Sequence, residues 1–219
     1  MTPDYKKAAT KALETMIKNN ITSTPIDPLP VLKKLPGVIV VSYETFSKEN
    51  NQDRKCVMSM VGETNQDAMT IVNIIDGKPR YLVTYNQMLP YNLFQRALAR
   101  ELGHIVLGHD GVLPEEVRHA EAKTFAHHLI CPRPLLYAIK QTGIRLTKDL
   151  FGNITGCYDY CLSCLRKQPA IETPVELNRA VRDQFMPYIL NLFEYQRYAT
   201  HKDGSAIADF GTYMDGYAE

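Results

Sequence analysis

The chain lacks an apolar stretch long enough to cross a membrane: nowhere do its 219 residues approach about 18 consecutive apolar side chains. Its first twenty residues, MTPDYKKAATKALETMIKNN, mix lysines with short apolar steps and hold no run of signal-peptide length. An excess of charge of one sign is also missing. With 25 Lys and Arg against 24 Asp and Glu the formal net charge is +1, which supplies no basic surface for non-specific nucleic-acid binding. A disulfide framework is absent too. There are five cysteines, an odd number, three of them crowded between Cys157 and Cys164, and this pattern reads more simply as reduced thiols. No internal repeat or low-complexity segment stands out. These absences lead to the expectation of a soluble cytoplasmic protein with no membrane and no direct nucleic-acid partner, large enough to bury a core.

What is present divides into a mixed first half and a helical remainder. Residues 4–19 place Ala8, Ala12, Leu13, Met16 and Ile17 at helical spacing, with Asp4 as a cap. The proline-rich turn 24–30, TPIDPLP, precedes a short helix over 29–35, stopped by Pro36-Gly37. The β-branched run 38–43 is a strand. Segments 69–75 and 80–85 are two more, joined at Asp76-Gly77, a dipeptide suited to the positive φ angles of a tight hairpin. Residues 47–56 are polar and read as an exposed excursion. From 90 to 107 the apolar residues Phe94, Leu98, Leu102, Ile105 and Val106 follow a helical period, and Gly108 ends it. A second helix is expected over 114–130, closed by Cys131-Pro132-Arg133-Pro134. Further helices are expected near 134–141, 153–166 and 174–197.

The chemistry concentrates in RALARELGHIVLGH, residues 96–109. A zinc-peptidase helix needs H-E-x-x-H: two histidines one turn apart face one metal, and the glutamate between them holds the water that the metal activates. Glu101 and His104 stand in that order, but the first histidine position is Arg100. A permanently charged guanidinium has no lone pair to offer a metal.

The string ELGHIVLGH nevertheless resembles the heart of the ImmA/IrrE-type zinc metallopeptidases, whose helix commonly reads H-E-L-G-H followed by a second L-G-H. Residues 119–132, HAEAKTFAHHLICP, resemble the downstream E-x-E-A-x-x-F-A-x-x-L-L-x-P of those proteins. The match is carried by Glu121, Ala122, Phe125, Ala126, Leu129 and Pro132, with Ile130 standing for a leucine. A lone helix, a P-x-D-P turn (Pro25-Ile26-Asp27-Pro28), a strand and a hairpin precede the motif helix in both, so the resemblance spans residues 4–135. It implies an α+β fold in which a small three-stranded sheet packs on a zincin-like helix pair, over 1–135. An all-helical region, 136–219, follows it. The activity it implies is metal-assisted endopeptidase action on a regulatory protein, such as a helix-turn-helix repressor on a mobile element. The third zinc ligand it implies lies thirteen residues before Pro132, where this chain has His119.

Three readings of the site follow. In the first no metal is held: Arg100 enters the old cavity, disfavours a protonated His104, and is available to pair with a carboxylate of a protein or peptide partner. In the second a shifted zinc site uses Glu101, His104 and His119 as a two-His, one-carboxylate set. In a surviving peptidase His104 and His119 hold the ion and Glu101 polarises its water. The third takes another ligand from Glu116, Glu121, His109 or His127. On an ideal helix His109 lies about 140° round from His104, whereas His127 lies within about 80° of His119. His109 and His128 are expected to be solvated or capping. Finally, Cys157, Cys161 and Cys164 have a C-x3-C-x2-C spacing that resembles the cluster loop of radical S-adenosylmethionine enzymes, which would mean an Fe–S protein. The same spacing is also a buried helix stripe, the reading that cysteine's preference for the interior favours.

Overall fold

Asp4 turns the chain into its first helix by accepting the Lys7 amide proton on Oδ1 at 2.8 Å, the expected side-chain cap. The computed structural model describes residues 1–51, 67–109, 112–167 and 170–198. Helix α1 (Tyr5–Lys18) turns Ala8, Ala9, Ala12, Leu13 and Met16 fully inward. Helix α2 (Pro28–Lys34) starts at a proline after Asp27, whose carboxylate caps the Leu29 amide. Strand β1 (Val38–Ser42) passes directly into α3 (Tyr43–Glu49), capped by the Ser42 hydroxyl. The expected polar excursion over 47–56 therefore begins inside a helix, and 52–56 lie outside the described residues.

Strands β2 (Ala68–Ile75) and β3 (Lys78–Tyr85) form the hairpin, with Ile75 opposite Lys78. Asp76 and Gly77 both take positive φ, 52° and 71°, the backbone that a two-residue hairpin turn demands. β1 joins β3 in parallel, so the sheet order is β1-β3-β2. Helix α4 (Tyr91–Val106) lies against β2 and β3 and buries Ala97, Leu98, Glu101 and Leu102 on one side. Helix α5 (Glu115–Ile130) follows.

Beyond it come α6 (Arg133–Gln141), α7 (Lys148–Thr155), α8 (Tyr158–Lys167) and α9 (Val175–Tyr198). The single helix expected over 153–166 is two. Gly156 adopts a left-handed conformation, φ 66°, and its amide closes α7 on the Gly152 carbonyl, so no helix runs through it. The fold is thus mixed α+β, a small three-stranded sheet among a majority of helices. Among the described residues no helix is long and apolar enough to cross a membrane.

The chain forms two compact units. The first holds residues 1–3 and 27–123; the second holds 4–26 and 124–219. The first contains the sheet, α2, α3, α4 and the beginning of α5. In the second, α1 packs on α9, α9 on α6, and α7 on α8. The Gln184 side chain on α9 donates to the carbonyls of Met16 and Ile21 at 3.1 and 2.6 Å. The N-terminal helix thus belongs with the C-terminal ones, although its sequence neighbours belong to the sheet.

Candidate functional site

Helix α4 presents Arg100, Glu101 and His104 to a cavity of about 310 Å³ in the first unit. Strand β2 contributes Met69, Thr70 and Val72, and the first two turns of α5 contribute Glu115, Arg118 and His119. Four residues picked out by motif alone, Arg100, Glu101, His104 and His119, therefore line one cavity. Glu116 is exposed and does not line it. His127 and His128 belong to the second unit.

Glu101 is the most constrained of these side chains. Thr70 Oγ1 donates to Oε2 at 2.8 Å, and Arg100 Nε donates to Oε1 at 3.3 Å. The alternation of β2 supplies Thr70, because residues 68 and 70 share the face on which α4 lies. Burial pushes the Glu101 carboxyl above its ordinary range, while Arg100 and the Thr70 hydrogen bond pull it back. The field of that carboxylate is felt by Tyr43, whose hydroxyl is pushed up to about 12, chiefly by burial and then by Glu101 and Asp67.

The histidines form a chain that the helical wheel did not anticipate. His104 Nδ1 lies 2.9 Å from His109 Nδ1, and His109 Nε2 lies 3.0 Å from Glu121 Oε2. The expectation for His109 is another helix face and a solvated or capping role; the side chain is instead buried and meets His104. The wheel angle holds only inside a helix, and α4 ends at Val106. Gly108 then turns the backbone with φ 71°, and the His109 amide returns to the His104 carbonyl at 3.0 Å. Burial pushes His104 down to about 3, with His109, His119, Arg100 and Arg118 adding to the shift. Arg100 acts in the expected direction but ranks behind burial. His104 also meets His119 edge-on, ring centroids 5.6 Å apart. His119 itself is half-exposed, with Glu115 Oε1 3.8 Å from its Nε2. Arg118 is steadied by donating from Nε to the Leu113 carbonyl at 3.0 Å.

These donors do not converge on an ion. Both Glu101 oxygens accept protein hydrogen bonds, His104 Nδ1 faces another imidazole, and Arg100, one turn before His104, is a cation. Among the described residues no group of three or more His, Cys, Asp or Glu is arranged to hold a metal. The cysteine trio fits the buried reading: Cys157, Cys161 and Cys164 are all buried. Cys157 precedes α8 rather than lying within it, and its carbonyl accepts the Cys161 amide at 3.0 Å.

Thr70, Glu115 and Arg118 escaped the reading of the sequence, since a strand threonine and surface charges at a helix start carry no motif. The expectation for His128 is a solvated or capping role. His128 and His127 are instead buried, His127 against the Tyr160 ring with centroids 6.2 Å apart. Neither His127 ring nitrogen has a hydrogen-bond partner among the described residues. Burial pushes His127 well below its usual value, helped by His128 and Arg133; burial and then Arg133 take His128 down to about 3. Comparison with protein-family models, curated proteins and solved structures finds no match to this chain.

Proposed function

We propose that this is a protein of the ImmA/IrrE metallopeptidase type, with a zincin-like helix pair, whose cleft binds a protein or peptide partner without cutting it. The observation that carries the reading is the Arg100–Glu101 pair. Arginine stands where the first metal-binding histidine belongs, and its Nε donates to the carboxylate that would hold the attacking water. A glutamate engaged by Arg100 and Thr70 at once is poorly placed to act as a general base. The cavity lies beside β2, one of the two outer strands of the sheet among the described residues. An extended segment of the partner hydrogen-bonds along that strand and sends one side chain toward Arg100. By resemblance the partner is a regulator of the helix-turn-helix kind.

The test is a calorimetric titration of the full chain with zinc, paired with elemental analysis. No zinc uptake is expected from the native chain. The double variant Arg100→His with His119→Glu, which restores the motif as the resemblance implies it, is expected to gain it. One zinc per native chain, lost on His104→Ala or His119→Ala, would overturn the proposal. That result would establish the set of Glu101, His104 and His119, which the close approach of the two rings favours.

A further inference from the structure

Strand β2 has none of the devices that keep sheet edges apart. It pairs with β3 without interruption from Ala68 to Ile75, so no bulge twists it away, and AMTIVNII contains neither a charge nor a proline. Its end toward the hairpin turn is apolar and exposed: Ile71, Ile74 and Ile75 are 45%, 59% and 48% accessible. The hydrogen bonds toward β3 fix which backbone groups remain. Asp67 and Asn86 stand one step beyond the Ala68–Tyr85 pair, and the Asn86 amide donates to the Asp67 carbonyl. Bonded pairs alternate with unbonded ones in an antiparallel ladder. The odd-numbered residues of β2 therefore bond to β3, and the even-numbered ones turn their N–H and C=O outward. Thr70 directs its amide at the Glu101 carboxylate. Among the described residues the backbone groups of Val72 and Ile74 have no such partner.

We infer that this edge is a self-association surface, on which β2 of a second copy lies antiparallel about a twofold axis at Asn73. The apolar residues are symmetric about that asparagine: Ile71-Val72-Asn73-Ile74-Ile75. The axis sets Val72 against Ile74 of the partner subunit and Ile71 against Ile75 of the partner subunit, and the two Asn73 carboxamides face each other. An isologous contact makes each of these unlike pairs twice. The outward backbone groups of Val72 and Ile74 bond each other across the axis, and the sheets join in the order β1-β3-β2-β2-β3-β1. Moving the axis to Val72 sets Ile71 against Asn73 and gives Ile74 a bonding partner in Thr70, whose amide is engaged. Moving it to Ile74 sets Ile75 against Asn73 and carries the pairing into the Asp76-Gly77 turn. With no charge on the strand, no like charges oppose each other. Five paired residues span about 17 Å, so the contact is smaller than the roughly 800 Å² per partner of a standard interface, and a dissociation constant of about 1 µM or above is expected. The same edge serves the partner in the reading above, so dimer and partner complex exclude each other; the dimer itself does not rest on that reading.

The experiment is sedimentation velocity on the full chain between about 5 µM and about 500 µM, a range suited to so weak a contact. It needs neither partner nor metal. The native chain is expected to shift from the mass of one chain toward that of two. Asn73→Lys sets two ammonium groups opposite each other at an exposed position. It is expected to stay a single chain throughout, with unchanged far-UV circular dichroism. Cross-linking reads the register in a chain whose Cys56 is replaced by serine. An unbonded pair brings its Cα atoms to about 4.5 Å, within disulfide reach, so Asn73→Cys is expected to give a disulfide-linked dimer on oxidation with diamide. In this register residue 71 lies about 14 Å from its own copy. Ile71→Cys alone is therefore expected not to link, and to do so when mixed with Ile75→Cys. A native chain that keeps the mass of one chain at every concentration would overturn the inference, as would a dimer that survives Asn73→Lys. Linking through Ile71→Cys alone would overturn the register.

Discussion

Lowering the pH from 7.5 to 5 should loosen the second unit, because two of its buried imidazoles must be neutral for it to fold. Three ring nitrogens, both of His127 and Nδ1 of His128, are buried without hydrogen-bond partners among the described residues, and a charge on either ring would have to be buried with them. In the unfolded chain both histidines titrate near the ordinary value of 6.5. In the folded chain His128 is pushed down to about 3 and His127 lies well below its usual value. The sign follows from proton counting. Below about pH 6.5 the unfolded state binds protons that the folded state refuses, so stability is complete above that pH and falls as the pH drops toward the folded values. Each group then contributes a slope of up to about 1.4 kcal/mol per pH unit. Between pH 7.5 and pH 5 that amounts to about 2 kcal/mol per histidine and about 4 kcal/mol for the pair if they act independently. Glu101, in the other unit, works in the opposite direction, since its raised value favours the folded state as protons are added.

The assay is urea unfolding at several pH values between 5 and 7.5, followed by exposure of the buried thiols Cys131, Cys157, Cys161 and Cys164. All four lie in the second unit. Cys56, outside the described residues, is replaced by serine. The midpoint should fall steadily with pH in the parent and about half as steeply in His128→Gln. An unchanged midpoint between pH 7.5 and pH 5, or an undiminished slope in the double variant His127→Phe with His128→Gln, would refute the reasoning.

Two further outcomes are expected. Thr70→Val removes the hydroxyl that donates to buried Glu101. It should cost about 1–3 kcal/mol and raise the carboxyl further, to be read by urea unfolding and by carboxyl ¹³C titration; a neutral result would mean that the bond is dispensable. Gly156→Ala forces a Cβ into the left-handed φ of 66° and should cost about 1–2 kcal/mol, lowering the thermal midpoint of the second unit.

Much of the first unit was legible because its signals are local. Asp76-Gly77 marks a hairpin whatever surrounds it, and the apolar period of α4 places Glu101 and His104 one turn apart with no knowledge of the sheet. The clustering of Arg100, Glu101, His104 and His119 followed from the motif. What stayed hidden depended on tertiary context. The approach of His109 to His104 needs the helix to stop and Gly108 to reverse the chain. From 124 to 130 every residue of α5 is buried, so that half of the helix shows no polar face and gave no reason to sink His127 and His128. The attachment of α1 to α9 leaves no trace in either segment, because an amphipathic helix announces that it needs a cover and not which one.

That last attachment has a consequence for how the protein comes into being. Residues 27–123, which form most of one unit, interrupt the other between Ile26 and Thr124. Gln184 and Met16, which are hydrogen-bonded, stand 168 residues apart in the chain. During synthesis α1 leaves the ribosome with its alanine, leucine and methionine face uncovered, while the sheet and its helices can assemble behind it from contacts nearer in sequence. Closing so long a span is slow. The order of birth and the order of completion therefore differ: α1 is made before the sheet yet waits for α9, and until α9 arrives its apolar face is open to capture by a chaperone or by another unfinished chain.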